Sequence, residues 1–86
     1  MQSISAVDRF AVALESLTAR EREVVRWLGG GKTNSEVAII NGISENTVKH
    51  YVTEIFNKLA VSNRTQLVRR LTEHEARGPV YNTQVY

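Results

Sequence analysis

The sequence predicts an all-α domain: four helices built around a helix-turn-helix pair, preceded by an extra N-terminal helix. Three observations lead there. In residues 44–59, Val48, Val52, Ile55, Phe56 and Leu59 recur at i, i+4, i+7, i+8 and i+11, an apolar stripe of helical period. Two Thr-x-x-Glu sequences, Thr18 to Glu21 and Thr33 to Glu36, have the spacing of N-terminal capping boxes. A short break around Gly42 separates the second of these helices from the next.

Composition sets the limits. An 86-residue chain, 42% hydrophobic and 23% charged, has the makings of one small core. Without cysteine it has no disulfide, no thiolate metal site and no Cys nucleophile. Its apolar runs are too short to span a membrane, and its N-terminus lacks signal-peptide character. A cytoplasmic location follows by default. The net charge of +2 says little about a polyanion partner, but its distribution says more. Residues 44–71 carry +3 and residues 18–36 carry +1, while 1–17 and 72–86 each carry −1. Positive charge gathers around the 44–59 helix, as an electrostatic footprint would.

Each element has its own signals. Residues 5–16 read as a leader helix capped by Ser5, with Val7, Phe10, Leu14 and Leu17 at helical spacing. It serves either to cover apolar surface or as a dimerisation or linker helix. Thr18 opens the next helix, with Leu17 placed as a hydrophobic staple and Val24, Val25, Trp27 and Leu28 on its buried side. Trp27 reads as a core anchor. Gly29-Gly30-Gly31 ends it. The following Lys32-Thr33 imitates a nucleotide-binding loop. That motif needs a Gly where Arg26 stands and a strand where a helix is expected, so it is rejected.

Thr33 to Asn41 is a short helix with Val37, Ala38 and Ile40 able to face inward. Gly42 closes it in the left-handed conformation, and Ile43 drops back to the core. Ser44 then caps the 44–59 helix, whose outer face shows Asn46, Lys49, His50, Thr53 and Asn57. All five can hydrogen-bond and none is acidic. Residues 60–63 form a turn. Asn63 and Gln66 cap a last helix from Arg64 to Arg77, with Leu67, Val68 and Leu71 inside and Gly78-Pro79 as its stop. The organisation is therefore 1–16 as an N-terminal helical extension, 17–77 as the domain, and 78–86 as a flexible tail. Asn63-Arg64-Thr65 matches a glycosylation sequon, which a cytoplasmic helix cap makes idle.

Four blocks carry a family resemblance: Leu17-Thr18-x-Arg20-Glu21-x-Glu23-Val24, Gly31-Lys32-Thr33-Asn34-x-Glu36-Val37-Ala38, Ile43-Ser44-Glu45-x-Thr47-Val48-Lys49, and Ile55-x-x-Lys58-Leu59-x-Val61-x-x-Arg64. In this order and spacing, over residues 17–71, they resemble the C-terminal DNA-binding domain of the LuxR/NarL/GerE regulators. The resemblance implies a four-helix LuxR-type helix-turn-helix domain that binds double-stranded DNA as a dimer, its third helix in the major groove. It implies base contacts from Lys49, His50 and Thr53. It implies phosphate contacts from Asn34, Thr47, Tyr51, Lys58 and Arg64, and homodimer contacts along the last helix. Lys49 can donate to guanine O6 and N7, and Thr53 can meet a base or a thymine methyl. Capped helix N-termini offer free amides to phosphate.

There are departures from the family pattern. Tyr51 stands where His is common, keeping a donor but not a charge. Ala60 replaces a usual Gly. Asn41 occupies a usually apolar position, and Ile40 is expected to rotate inward to replace it. Ile39 then stays exposed, as a protein-facing surface would. Family members usually carry a sensory domain. With sixteen residues ahead of the domain, the sequence reads either as a short GerE-like regulator, which Met at position 1 favours, or as a fragment excised from a longer one.

His50 and His74 are the only histidines, 24 residues apart, and the carboxylates are scattered. Neither a metal site, a cofactor nor an enzyme is expected. The expected function is sequence-specific DNA-binding regulation of transcription. The alternative is a protein-interaction module that pairs with a larger regulator.

Overall fold

The computed structural model describes residues 9–83, with side chains described through residue 76. Five helices follow in order: α1 (Arg9–Glu15), α2 (Ala19–Gly29), α3 (Asn34–Asn41), α4 (Glu45–Leu59) and α5 (Arg64–Thr83). The described residues contain no strand. The expected Ser5 cap and the first turn of the leader helix lie outside them.

Local chemistry sets most of the boundaries. Thr18 and Thr33 each accept the amide of the Glu three residues on, and each Glu carboxylate accepts the Thr amide in return. Both capping boxes are complete. Ser44 Oγ accepts the Thr47 amide at 3.1 Å. Gly42 takes φ 67°, ψ 35° and closes α3. At the start of α5, Asn63 Oδ1 accepts the Gln66 amide at 2.8 Å. Gln66 reaches back to the Ser62 amide, so the cap pair spans one residue more than a capping box.

One core holds the helices together. Val24, Val37, Val48, Ile55 and Leu67 are fully buried, with Leu28, Leu59 and Val61 nearly so. These come from α2, α3, α4, α5 and the α4–α5 turn, so the core sits where the four domain helices converge. Phe10 anchors α1, which packs on α4 and α5. Arg70 lies 4.7 Å over the Phe10 ring, and His74 meets it edge-on. Trp27 is half-buried against the core, and its indole N–H is buried with no hydrogen-bond partner. Gly29 lets α5 approach α2, since a Cβ there would lie 3.1 Å from Leu71 Cδ1.

Three sequence expectations need correction. Ile40 does not turn inward; it is 43% exposed. Val37 and Ala38 already hold the inner face, and one residue of rotation, about 100°, would pull them out. Asn41 stays half-buried because its Nδ2 donates to the Val37 carbonyl at 2.9 Å. Leu17 has no staple partner, because the fourth helical position is exposed Arg22; Leu17 is itself buried in the core. Finally, α5 does not stop at Gly78-Pro79 but continues to Thr83. Pro79 removes a single amide donor, and the helical path carries on past it.

Candidate nucleic-acid interface

Helix α4 has two faces with different jobs. Val48, Ile55 and Leu59 are buried, and Val52 and Phe56 pack partly against the core. Asn46, Lys49, His50, Thr53 and Asn57 are all exposed on the other side. A face of donors and acceptors with no carboxylate among these five suits an electron-rich groove. The short α3–α4 turn fixes the angle of this face to the rest of the domain. Ile43 donates its amide to the Ala38 carbonyl and packs against the core, so the turn has little freedom.

The residues expected at base edges lie together. Lys49, His50 and Thr53 sit at i, i+1 and i+4 of α4, all exposed. Thr53 Oγ1 donates to the Lys49 carbonyl at 3.1 Å.

The residues expected at phosphate are more dispersed. Thr47 and Tyr51 are half-buried on the flanks of α4, with Tyr51 packed against the core. Thr47 shares a hydroxyl–hydroxyl hydrogen bond with Ser44 at 2.9 Å. Asn34 and Arg64 line one shallow cleft together with Thr33, Ser35, Glu45 and Phe56. The amides of Asn34 and Ser35 in α3, and of Glu45 and Asn46 in α4, are first-turn donors without an intrahelical acceptor. They give each helix N-terminus a partial positive charge.

Besides Thr47, two of the five are already engaged within the protein. Arg64 Nη2 donates to the Leu28 carbonyl at 2.9 Å, which ties the start of α5 to the end of α2. Lys58 Nζ donates to both carboxylate oxygens of Glu21, at 2.9 and 3.2 Å. Glu21 is only 5% exposed. The Lys58 ammonium beside it, then the Thr18 amide, hold its carboxyl below the ordinary value. Glu36 is likewise lowered, chiefly by the Thr33 amide.

The Glu21–Lys58 pair is the feature that sequence reasoning missed. In the sequence Glu21 reads as the N3 residue of a capping box, a role that calls for no partner beyond Thr18. Its partner is 37 residues away. Local spacing carries no trace of such a contact.

The family model described as "Bacterial regulatory proteins, luxR family" matches residues 15–71. The chain belongs to the luxR family. This LuxR-family chain is 53% identical over 55 residues to SgaR of Hyphomicrobium methylovorum, named a probable transcriptional regulatory protein; that match covers 64% of this chain and 26% of SgaR. It is 44% identical over 64 residues to the transcriptional activator protein YukR of Yersinia ruckeri, covering 74% of this chain and 28% of YukR. To the transcriptional activator protein EsaR of Pantoea stewartii it is 46% identical over 52 residues, 60% of this chain and 21% of EsaR. The chain thus spans about a quarter of the length of these relatives. LuxR-family membership makes this a helix-turn-helix domain of a regulatory class, not of an enzyme class. Among the described residues, no helix is long and apolar enough to cross a membrane.

Proposed function

We propose that this chain binds duplex DNA sequence-specifically and regulates transcription, with α4 lying in the major groove. The observation that carries this reading is the outward face of α4, where Lys49, His50 and Thr53 stand exposed on a helix anchored by Val48, Ile55 and Leu59. Lys49 brings a charged donor suited to guanine O6 and N7. Asn34, Thr47, Tyr51, Lys58 and Arg64 contact the phosphate backbone on either side and set the register. Arg64 keeps free guanidinium donors after its bond to Leu28, and Lys58 keeps one ammonium hydrogen after its two to Glu21.

The chain binds as a homodimer through α5. A groove between α2 and α5, floored by Val25, Val68 and Leu71 and banked by Arg22, Arg26 and Glu75, supports pairing of that face with a second copy. Two-fold pairing would present two α4 helices to half-sites on one face of the duplex.

A mobility-shift titration at low salt, with random-sequence competitor, tests the reading. A shifted complex that survives competitor is expected. No shift, or a shift abolished by equal random competitor, would sink it.

A second reading rests on a specific surface. Ile39 is 78% exposed beside Ile40 at 43%. These two give α3 an apolar spot suited to a larger regulator as protein partner. Recovery of a heterologous complex that Ile39→Asp disrupts would favour it, and the two readings are compatible.

A further inference from the structure

We infer that Asn41 is a self-modification site: when the α3–α4 turn opens, Asn41 is converted irreversibly to aspartate or isoaspartate by attack of the Gly42 nitrogen. The inference goes beyond the DNA-binding reading and does not depend on it.

The chemistry is set by the sequence. Asn41 is the single asparagine followed by glycine; Asn34, Asn46, Asn57, Asn63 and Asn82 precede Ser, Thr, Lys, Arg and Thr. Glycine has no Cβ to shield its backbone nitrogen. A Cβ built at Gly42 would meet nothing within 4 Å, so water and hydroxide reach that side of the turn. In the reaction, hydroxide takes the Gly42 amide proton and the nitrogen attacks Asn41 Cγ. The N–Cγ bond forms, the Cγ–Nδ2 bond breaks, and Nδ2 leaves as ammonia with a proton from water. A second water opens the cyclic imide at either carbonyl. One opening gives aspartate; the other gives isoaspartate, with the backbone rerouted through the side chain. Nothing is oxidised or reduced.

The closed turn holds the two reacting groups apart. Asn41 Nδ2 donates to the Val37 carbonyl at 2.9 Å, one turn back along α3, so the carboxamide points toward the start of the helix. The Gly42 nitrogen lies the other way along the chain. Its N–H donates to the Ala38 and Ile39 carbonyls as the cap of α3. An amide proton held in this way is protected until the segment opens. Ile43 keeps it closed, with its amide on the Ala38 carbonyl at 3.0 Å and its side chain against the core.

The products do not fit the closed turn. Aspartate at 41 sets a carboxylate against the Val37 carbonyl, acceptor facing acceptor, with negative charge at the C-terminus of α3. Isoaspartate adds a backbone carbon between α3 and α4. Each opening that reacts therefore leaves a permanent trace in the turn that sets the angle of α4.

The test follows the wild-type chain in mildly alkaline buffer below its melting temperature, and in parallel in urea above its unfolding midpoint. Peptides from timed samples are read by mass spectrometry, and isoaspartate is counted by enzymatic methylation. In urea, Asn41 should convert ahead of every other asparagine. In the folded chain its conversion should be slower by more than about tenfold, the factor given by an opening cost of about 1.4 kcal/mol. Asn41→Asp should melt roughly 4–8 °C below the wild type. Equal rates in the folded and unfolded chain overturn the gating by the turn. Another asparagine converting first in urea overturns the site. Asn41→Asp melting with the wild type overturns the permanent cost. The two wild-type rates decide the first two points without any variant having to fold.

Discussion

Replacing Lys58 by Met should destabilise the domain by about 2 kcal/mol, although half of the bridge it makes lies at the surface. The substitution keeps the length of the side chain and removes its ammonium. Glu21, at 5% exposure, is left with the Thr18 amide as its strong partner. Breaking a fully buried pair on one side costs about 3–5 kcal/mol. An exposed pair is worth about 0–1 kcal/mol. The Lys58 side chain is 35% exposed against 7% for Glu21, so water screens part of the interaction and the cost falls between these limits. For a domain of this size, about 2 kcal/mol lowers the melting temperature by roughly 10 °C. Glu21→Gln should cost less, about 1 kcal/mol, because the amide oxygen still accepts from Thr18 and no buried charge is stranded. The double variant should therefore cost less than the two single changes combined.

The sign of the pH effect follows from the carboxyl. Glu21 is held below its ordinary value of 4.5 by Lys58 first and Thr18 second. Its stabilisation is present above that value and is lost as pH falls through it and below. Wild type and Lys58→Met should thus differ most above pH 4.5, and the gap should narrow as the pH falls further below it. Thermal melts by far-UV circular dichroism across that range read both effects. A Lys58→Met chain that melts with the wild type at neutral pH would refute the reasoning. So would a gap that does not narrow in acid.

Other expectations concern stability and binding together. Ala60 holds φ 57° without being glycine. Ala60→Gly should relieve left-handed strain and stabilise by about 0.5–1 kcal/mol net of added unfolded-state freedom, seen as a melting temperature several degrees higher. Ile55→Ala empties a fully buried position beneath the recognition face and should cost about 2–5 kcal/mol in denaturant titration. Arg64→Lys should lose the bond to the Leu28 carbonyl and weaken binding to all duplexes alike. An unchanged affinity at moderate salt would remove Arg64 from the backbone contacts.

The features read correctly from sequence are those written in near-neighbour spacing. Thr18 and Glu21, Thr33 and Glu36, and Ser44 and Thr47 are three residues apart, and one turn of helix brings each pair into contact. Gly42 adopts the left-handed cap for the same local reason. The exposed set on α4 follows from the period of its apolar stripe. Contacts that depend on how helices meet were not legible. Glu21 and Lys58 pair across 37 residues, and Arg64 reaches back 36 to Leu28. Ile40 has no gap to fill on the inner face, although Asn41 stands where an apolar residue is usual. Asn41 satisfied its polar group on the Val37 carbonyl and kept the inner position. The helical path through Pro79 ran against a strong local stop signal.

The central claim is that the outer face of α4 reads base sequence. Its most direct test is a parallel titration, by fluorescence anisotropy, of wild type and Lys49→Ala against a duplex selected by the wild type from a random pool and a scrambled one. Lys49 is exposed, so its removal should leave the fold intact. On the selected duplex, Lys49→Ala should lose roughly 1–3 kcal/mol and relax preference at one base position, with a much smaller change on the scrambled duplex. An equal loss on both duplexes would make Lys49 a backbone contact, and a wild type that does not distinguish them would contradict the claim outright.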